Sequence, residues 1–169
     1  MTLYSTTSFY KDIRAGAPGE QIFIDDFLKF LSVSYENVTQ KQGFQVIDTD
    51  FVAMSRYYEI KTNYKDDNKI IVEEYTNINQ SLSPISKGWF YKSKADCLVF
   101  ISKATRAMIL VPFNDKFKSH YESIKDNYGL INNKITIHNG SKWQSAFRKI
   151  PLDAISGYFS LYRKTQGEL

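Results

Sequence analysis

Between Asp50 and Lys61 two apolar or aromatic runs flank a short polar turn at Ser55–Arg56. That pattern predicts a β-hairpin. Side chains alternate faces along a strand, so Tyr57, Glu59 and Lys61 share one face and Tyr58 and Ile60 the other. Asp50 opens the first arm, so the hairpin would return the far end of the second arm toward it. Two carboxylates and a lysine then meet at one spot, which suits a hard divalent cation and a developing negative charge.

The rest of the chain must supply a core for this hairpin. With 169 residues, 43% of them hydrophobic, it is long enough for one well-buried domain. The expected division is an arm over 1–17, one domain over 18–162 and a polar tail over 163–169. Pro18-Gly19-Glu20 reads as a helix start. Phe23, Ile24, Phe27, Leu28, Phe30 and Leu31 then recur at helical spacing. Phe44-Gln45-Val46-Ile47 reads as a strand running into Asp48 and Asp50. Ile70 to Tyr75, Cys97 to Ile101 and Ala107 to Val111 read as further strands, and Phe113 to Tyr128 as a helix. Ile135 to His138 is a short strand before an Asn139-Gly140 turn, and Pro151-Leu152-Asp153 closes a strand and opens a short helix. Helices alternating with short strands predict an α/β fold, a mixed sheet flanked by helices.

Several function classes are excluded on residue types. One cysteine, Cys97, allows no internal disulfide and argues for a reducing, cytoplasmic setting. Cys97 itself reads as a small core residue. His120 and His138 cannot build a thiolate–imidazole zinc cluster with one cysteine, and His120 reads as a packed or exposed helix residue. No His-Glu-x-x-His, Gly-x-Ser-x-Gly, Gly-x-Gly-x-x-Gly or Gly-x-x-x-x-Gly-Lys is present. No basic-then-apolar leader and no bilayer-length apolar run is found, so neither a signal peptide nor a membrane partner is expected.

Charge is divided unevenly. Met1 to Pro84 carries 8 Lys and Arg against 12 Asp and Glu, a net of −4; Ile85 to Leu169 carries 14 against 6, a net of +8. An anionic polymer could lie on the basic part while its phosphate meets the acids. Lys87 and Lys94, near Trp89, and the basic-aromatic cluster of Lys142, Arg148 and Lys149 with Trp143 and Phe147 are candidate nucleic-acid contacts. Trp89 serves equally as a packing residue, and the late cluster equally as a partly exposed closing strand.

Asp50 followed by Glu59-Ile60-Lys61 resembles the PD-(D/E)XK nuclease superfamily, with Thr49 where a proline often precedes the aspartate. The resemblance extends over roughly Pro18 to Pro112. It takes in Glu59-Ile60-Lys61-Thr62, a strand carrying an acid, Gly88-Trp89, and Ser93-Lys94-Ala95-Asp96 before a core strand. It implies a restriction-endonuclease-like core and a metal-dependent DNA nuclease of recombination, repair or restriction. Asp50, Glu59 and Glu20 would hold Mg²⁺ or Mn²⁺, and Lys61 would position water, act as a base or stabilise charge. Glu20 also has a purely structural reading, offsetting a helix dipole. Asp48 competes with Asp50 on strand parity. Of Glu73 and Glu74, one should face the site and the other solvent. Two cuts on two strands would favour a homodimer. The rival functions are a non-catalytic nucleic-acid-binding domain and a structural or protein-interaction domain.

Overall fold

The computed structural model describes residues 17–45, 47–62, 65, 67–138 and 140–163. Most of the expected arm and tail, together with Val46, Asn63, Tyr64, Asp66 and Asn139, lies outside the described residues. Residues 17–23 form helix α1, which runs on into a π-helical turn, Ile24–Leu28. Then come β1 (Tyr35–Asn37), α2 (Gln42–Gln45), β2 (Phe51–Ala53), β3 (Arg56–Lys61), β4 (Lys69–Asn77) and β5 (Ser86–Lys87). After these stand α3 (Trp89–Lys92), β6 (Cys97–Ile101), β7 (Met108–Pro112) and α4 (Asp115–Ile124). The chain closes with β8 (Ile131–Asn132), β9 (Thr136–His138), β10 (Ser141–Trp143), β11 (Ala146–Pro151) and β12 (Ser160–Tyr162).

The class is α/β with a mixed sheet and few helices. The strands do not join into one sheet, however. Among the described residues they form a six-stranded sheet, β1-β2-β3-β6-β7-β12, a four-stranded sheet, β5-β4-β11-β8, and the β9–β10 ribbon. β3 and β6 run parallel, with Glu59 opposite Leu98 and Lys61 opposite Phe100. β4 is excluded from β3's edge because β6 holds it, and it pairs instead with β11, Ile70 opposite Ile150 and Val72 opposite Arg148.

The unbroken apolar run of β6 explains its central place, since all five residues are buried. Cys97, Val99 and Ile101 look toward α1, where they meet Phe23, Leu28, Tyr58 and Ile60. Leu98 and Phe100 look the other way, into a core shared with Ile70, Val72 and Ile150 of the second sheet and with Phe90, Phe117 and Tyr121 of α3 and α4. Each such fully buried large side chain contributes roughly 1.5–3 kcal/mol. α4 starts where the Asn114 side chain accepts the Phe117 N–H at 3.0 Å.

Three expectations are corrected by the fold. The hairpin turns at Met54–Ser55, one residue early, with Ala53 opposite Arg56. Both turn residues have positive φ, 51° and 57°, the backbone a two-residue hairpin turn needs. Where a strand was expected to open at Phe44, Gln42–Gln45 is a helical turn closed by Gln45 N–H donating to Lys41 O, and Asp48 takes a left-handed conformation, φ 48°. Strand β1, not foreseen, takes the free edge of β2. Finally, Phe30 and Leu31 leave the apolar stripe, and Phe30 is 58% exposed. The π turn, closed by Lys29 N–H donating to Ile24 O at 2.9 Å, adds a residue to the turn and rotates Phe30 and Leu31 away from the core.

Candidate functional site

Strand alternation puts Glu59 and Lys61 on the face of the six-stranded sheet that looks toward α3 and β4, with Leu98 and Phe100 beside them. Glu59 is 5% exposed and its Oε1 is ion-paired to Lys61 Nζ. Its other oxygen, Oε2, is buried without a hydrogen-bond partner. Lys61 Nζ also stands 4.8 Å from the centre of the Trp89 ring.

Asp50 sits just before β2. Its N–H donates to Tyr58 O at 2.8 Å, and its Oδ2 accepts the Ile60 N–H at 2.7 Å. The side chain thus takes over a strand hydrogen bond and is pinned at the end of β3. Glu20 arrives from α1, its Oε2 accepting from Thr39 Oγ1 at 3.3 Å; the same hydroxyl lies 3.4 Å from Asp50 O. α1 approaches so closely because Gly19 has no side chain: a Cβ there would overlap the Thr62 Cγ2 methyl. Gly88 plays the same part on the other flank, where a Cβ would stand 2.5 Å from Glu73 O.

These groups share one electrostatic field. Burial pushes the Glu59 carboxyl up to about 7, against the pull of Lys61 and with help from Asp50 and Asp48. Burial likewise pushes Asp50 up to about 6; Ile60 N–H and Lys61 oppose this, while Glu20 and Asp48 add to it. Glu20 is raised by burial, with Glu59 contributing. Asp48 is raised by burial against Lys61 and Lys92. Lys61 runs the other way: burial would lower it, but Glu59, Asp50 and Asp48 outweigh that and hold it protonated.

Asp48 and Asp50 therefore both belong to the cluster. Glu73 joins it: burial raises its carboxyl, while Lys61, the Trp89 N–H and Lys92 pull it down. Glu74 is the other of the pair, and where solvent was expected for that one, it is buried. It is 2% exposed, accepting from Tyr121 Oη at 2.7 Å and from Arg148 Nε at 3.0 Å. Arg148 is consequently turned inward as well, bonded also to Tyr128 O and, at 3.3 Å, to Asp126. It stands apart from Lys142 and Lys149, which are exposed. Trp89 is 8% exposed and packs on Phe90 and Phe100, so its ring offers no open face for a base. Cys97 is a buried core residue. His120 is packed, its Nε2 2.7 Å from Ala154 O and its ring stacked on Tyr158.

Lys87 and Lys94 are exposed. Lys92, between them, is not singled out by its sequence, yet its charge acts on both Asp48 and Glu73. The signal available was its place in a lysine run ending at Ser93-Lys94. Among the described residues, no three Asp, Glu, His or Cys side chains converge closely enough to hold a metal ion as they stand. The donor set is nevertheless of the right chemistry, all carboxylate oxygen, and the partnerless Glu59 Oε2 is an acceptor that a cation would satisfy. Among the described residues no helix is long and apolar enough to cross a membrane. No family model, no curated protein and no solved structure matches the chain.

Proposed function

We propose that the chain is a Mg²⁺- or Mn²⁺-dependent nuclease with a restriction-endonuclease-like core, hydrolysing DNA phosphodiester bonds. The observation that carries this reading is the buried, partnerless Glu59 Oε2 beside Asp50 and a protonated Lys61. The helix-led hairpin whose second strand lies parallel to β6 supports the fold assignment.

Asp50, Glu59 and Glu20 would hold the ion, with Asp48 as the alternative aspartate. A bound dication lowers the pKa of a water ligand and neutralises phosphoryl charge. Asp50 is oriented for this by the Ile60 N–H, and Glu20 by Thr39. Lys61, kept protonated by its acidic neighbours, suits stabilising negative charge as it develops better than accepting a proton. Packing against Trp89 limits where its ammonium can go.

The test is a panel of linear, nicked and four-way DNA with Mg²⁺ or Mn²⁺, repeated in EDTA and with Glu59→Gln. Cutting should require the metal and fall about a hundredfold or more in the variant. Cutting that persists in chelator overturns the metal mechanism. DNA binding without any cleavage would leave the rival, a non-catalytic nucleic-acid-binding domain, which the unconverged carboxylates favour.

A further inference from the structure

A short strap, residues 86–94, ties the second sheet to the acidic loop. At one end Gly88 N–H donates to Glu74 O at 2.7 Å and Thr76 Oγ1 donates to Lys87 O at 3.1 Å. At the other, Ser93 Oγ donates to Asp48 O at 3.1 Å and Lys94 N–H to Ile47 O at 2.9 Å. Trp89 and Phe90 point inward from it and are buried, while Lys87, Lys92 and Lys94 are exposed. The inward packing fixes the backbone, so Lys92 and Lys94 stand at set positions beside the Asp48 loop, while Lys87 lies over the Tyr75 and Tyr91 rings.

We propose, resting on the nuclease reading above, that this strap is the surface that grips a nucleic-acid backbone at the site. Lys92 and Lys94 are its phosphate contacts, and the Lys142–Lys149 region is not.

Electrostatics and geometry both select the strap. A cluster of Glu20, Asp48, Asp50, Glu59 and Glu73 repels a polyanion, and its inner cation, Lys61, is already paired to Glu59. A phosphate chain can approach only where cations flank the acids closely. Lys92 is such a cation: its charge acts on Asp48 and on Glu73, one from each flank, and its Nζ lies 3.4 Å from Thr76 Oγ1. Lys94 comes next on the segment bonded to the Asp48 loop. The late basic group lacks this link. Its Arg148 is committed to Glu74, and Lys142 sits on the separate β9–β10 ribbon.

The experiment measures binding of a short fluorescein-labelled DNA duplex by anisotropy in EDTA, across a salt series. It compares the unaltered chain with Lys92→Ala/Lys94→Ala and with Lys142→Ala/Lys149→Ala. Both double variants remove two exposed charges, and circular dichroism checks that each is folded. The strap variant should flatten the slope of log K against log salt by about 2, while the late pair leaves it near that of the unaltered chain. A reversed pattern, or equal flattening in both, overturns the strap as the docking surface. No salt-dependent binding by the unaltered chain overturns it too. Metal-dependent hydrolysis of bis(p-nitrophenyl) phosphate, which needs no backbone grip, is measured in parallel. Its presence keeps the phosphodiesterase reading when the strap fails; its absence removes that reading, and the slope comparison still decides the strap.

Discussion

Replacing Glu59 with glutamine should make the protein more stable above neutrality and not below pH 4.5. Two effects compete. Removing one partner of a buried ion pair commonly costs several kcal/mol, because it strands the other charge. Here Lys61 would not be stranded, since Asp50 and Asp48 also hold it. The Glu59 carboxyl, even with Lys61 bonded to it, is raised from 4.5 to about 7. In the native state its ionised form is therefore the unfavourable one. An acid whose native pKa is raised contributes stability that is full below its unfolded value. That stability is lost as pH rises through the native value. The loss for Glu59 amounts to roughly 3 kcal/mol between pH 4.5 and above pH 7. Glutamine keeps the shape and lacks the charge, so its stability curve should miss that decline. Urea unfolding of both proteins at a series of pH values from 4 to 8.5 gives the difference curve, in which the titration of common groups largely cancels. The variant should gain about 3 kcal/mol on the unaltered chain across this range. Parallel curves, or a variant weaker at pH 8, would mean that Glu59–Lys61 is a net stabilising structural pair and that the site carries no strain.

Other perturbations probe the surroundings. Glu74→Ala should cost roughly 1–3 kcal/mol in urea unfolding by leaving Tyr121 Oη and Arg148 Nε without their acceptor, while Arg148 keeps Tyr128 O and Asp126; Glu73→Gln should cost little. Gly19→Ala should destabilise by about 1–3 kcal/mol through its clash with Thr62, and Thr62→Ser, which removes the clashing methyl, should recover much of that in the double variant. Mn²⁺ affinity measured by calorimetry should rise as pH increases from 5.5 to 8, by roughly tenfold per pH unit for each proton that binding releases, because Asp50 and Glu59 must ionise. A flat profile would remove these two carboxylates from the ion's ligands.

The hairpin was legible because alternation is a local property: Tyr58 and Ile60 bury on one face while Glu59 and Lys61 share the other. Its turn was misplaced by one residue because Met54 and Ser55 take positive φ without the glycine or asparagine that usually announces it. Parity also said that Glu73 and Glu74 must part ways. It could not say which went where, nor that Glu74 would find Arg148 from a strand far along the chain. The π turn left no mark in the spacing of Phe23 to Leu31, since its wider bond depends on what α1 packs against. β1 and β12 are three-residue edge strands defined by their partners rather than by their own composition. The division into two larger sheets and a ribbon was hidden for the same reason, as pairing partners are chosen at long range.

The parallel pairing of β3 with β6 has a consequence for the order of assembly. β3 acquires its first neighbour, β2, as soon as the hairpin closes, within microseconds for such a local contact. Its second neighbour, β6, lies beyond β4, β5 and α3 in the chain, and closing a loop of that length costs entropy before any contact offsets it. Until then the strand bearing Glu59 and Lys61 has a bare edge, and neither residue has Leu98 or Phe100 alongside. The site is thus a late product of folding. Amide exchange in β3 should show this as protection that β2 alone does not confer and that appears together with protection in β6.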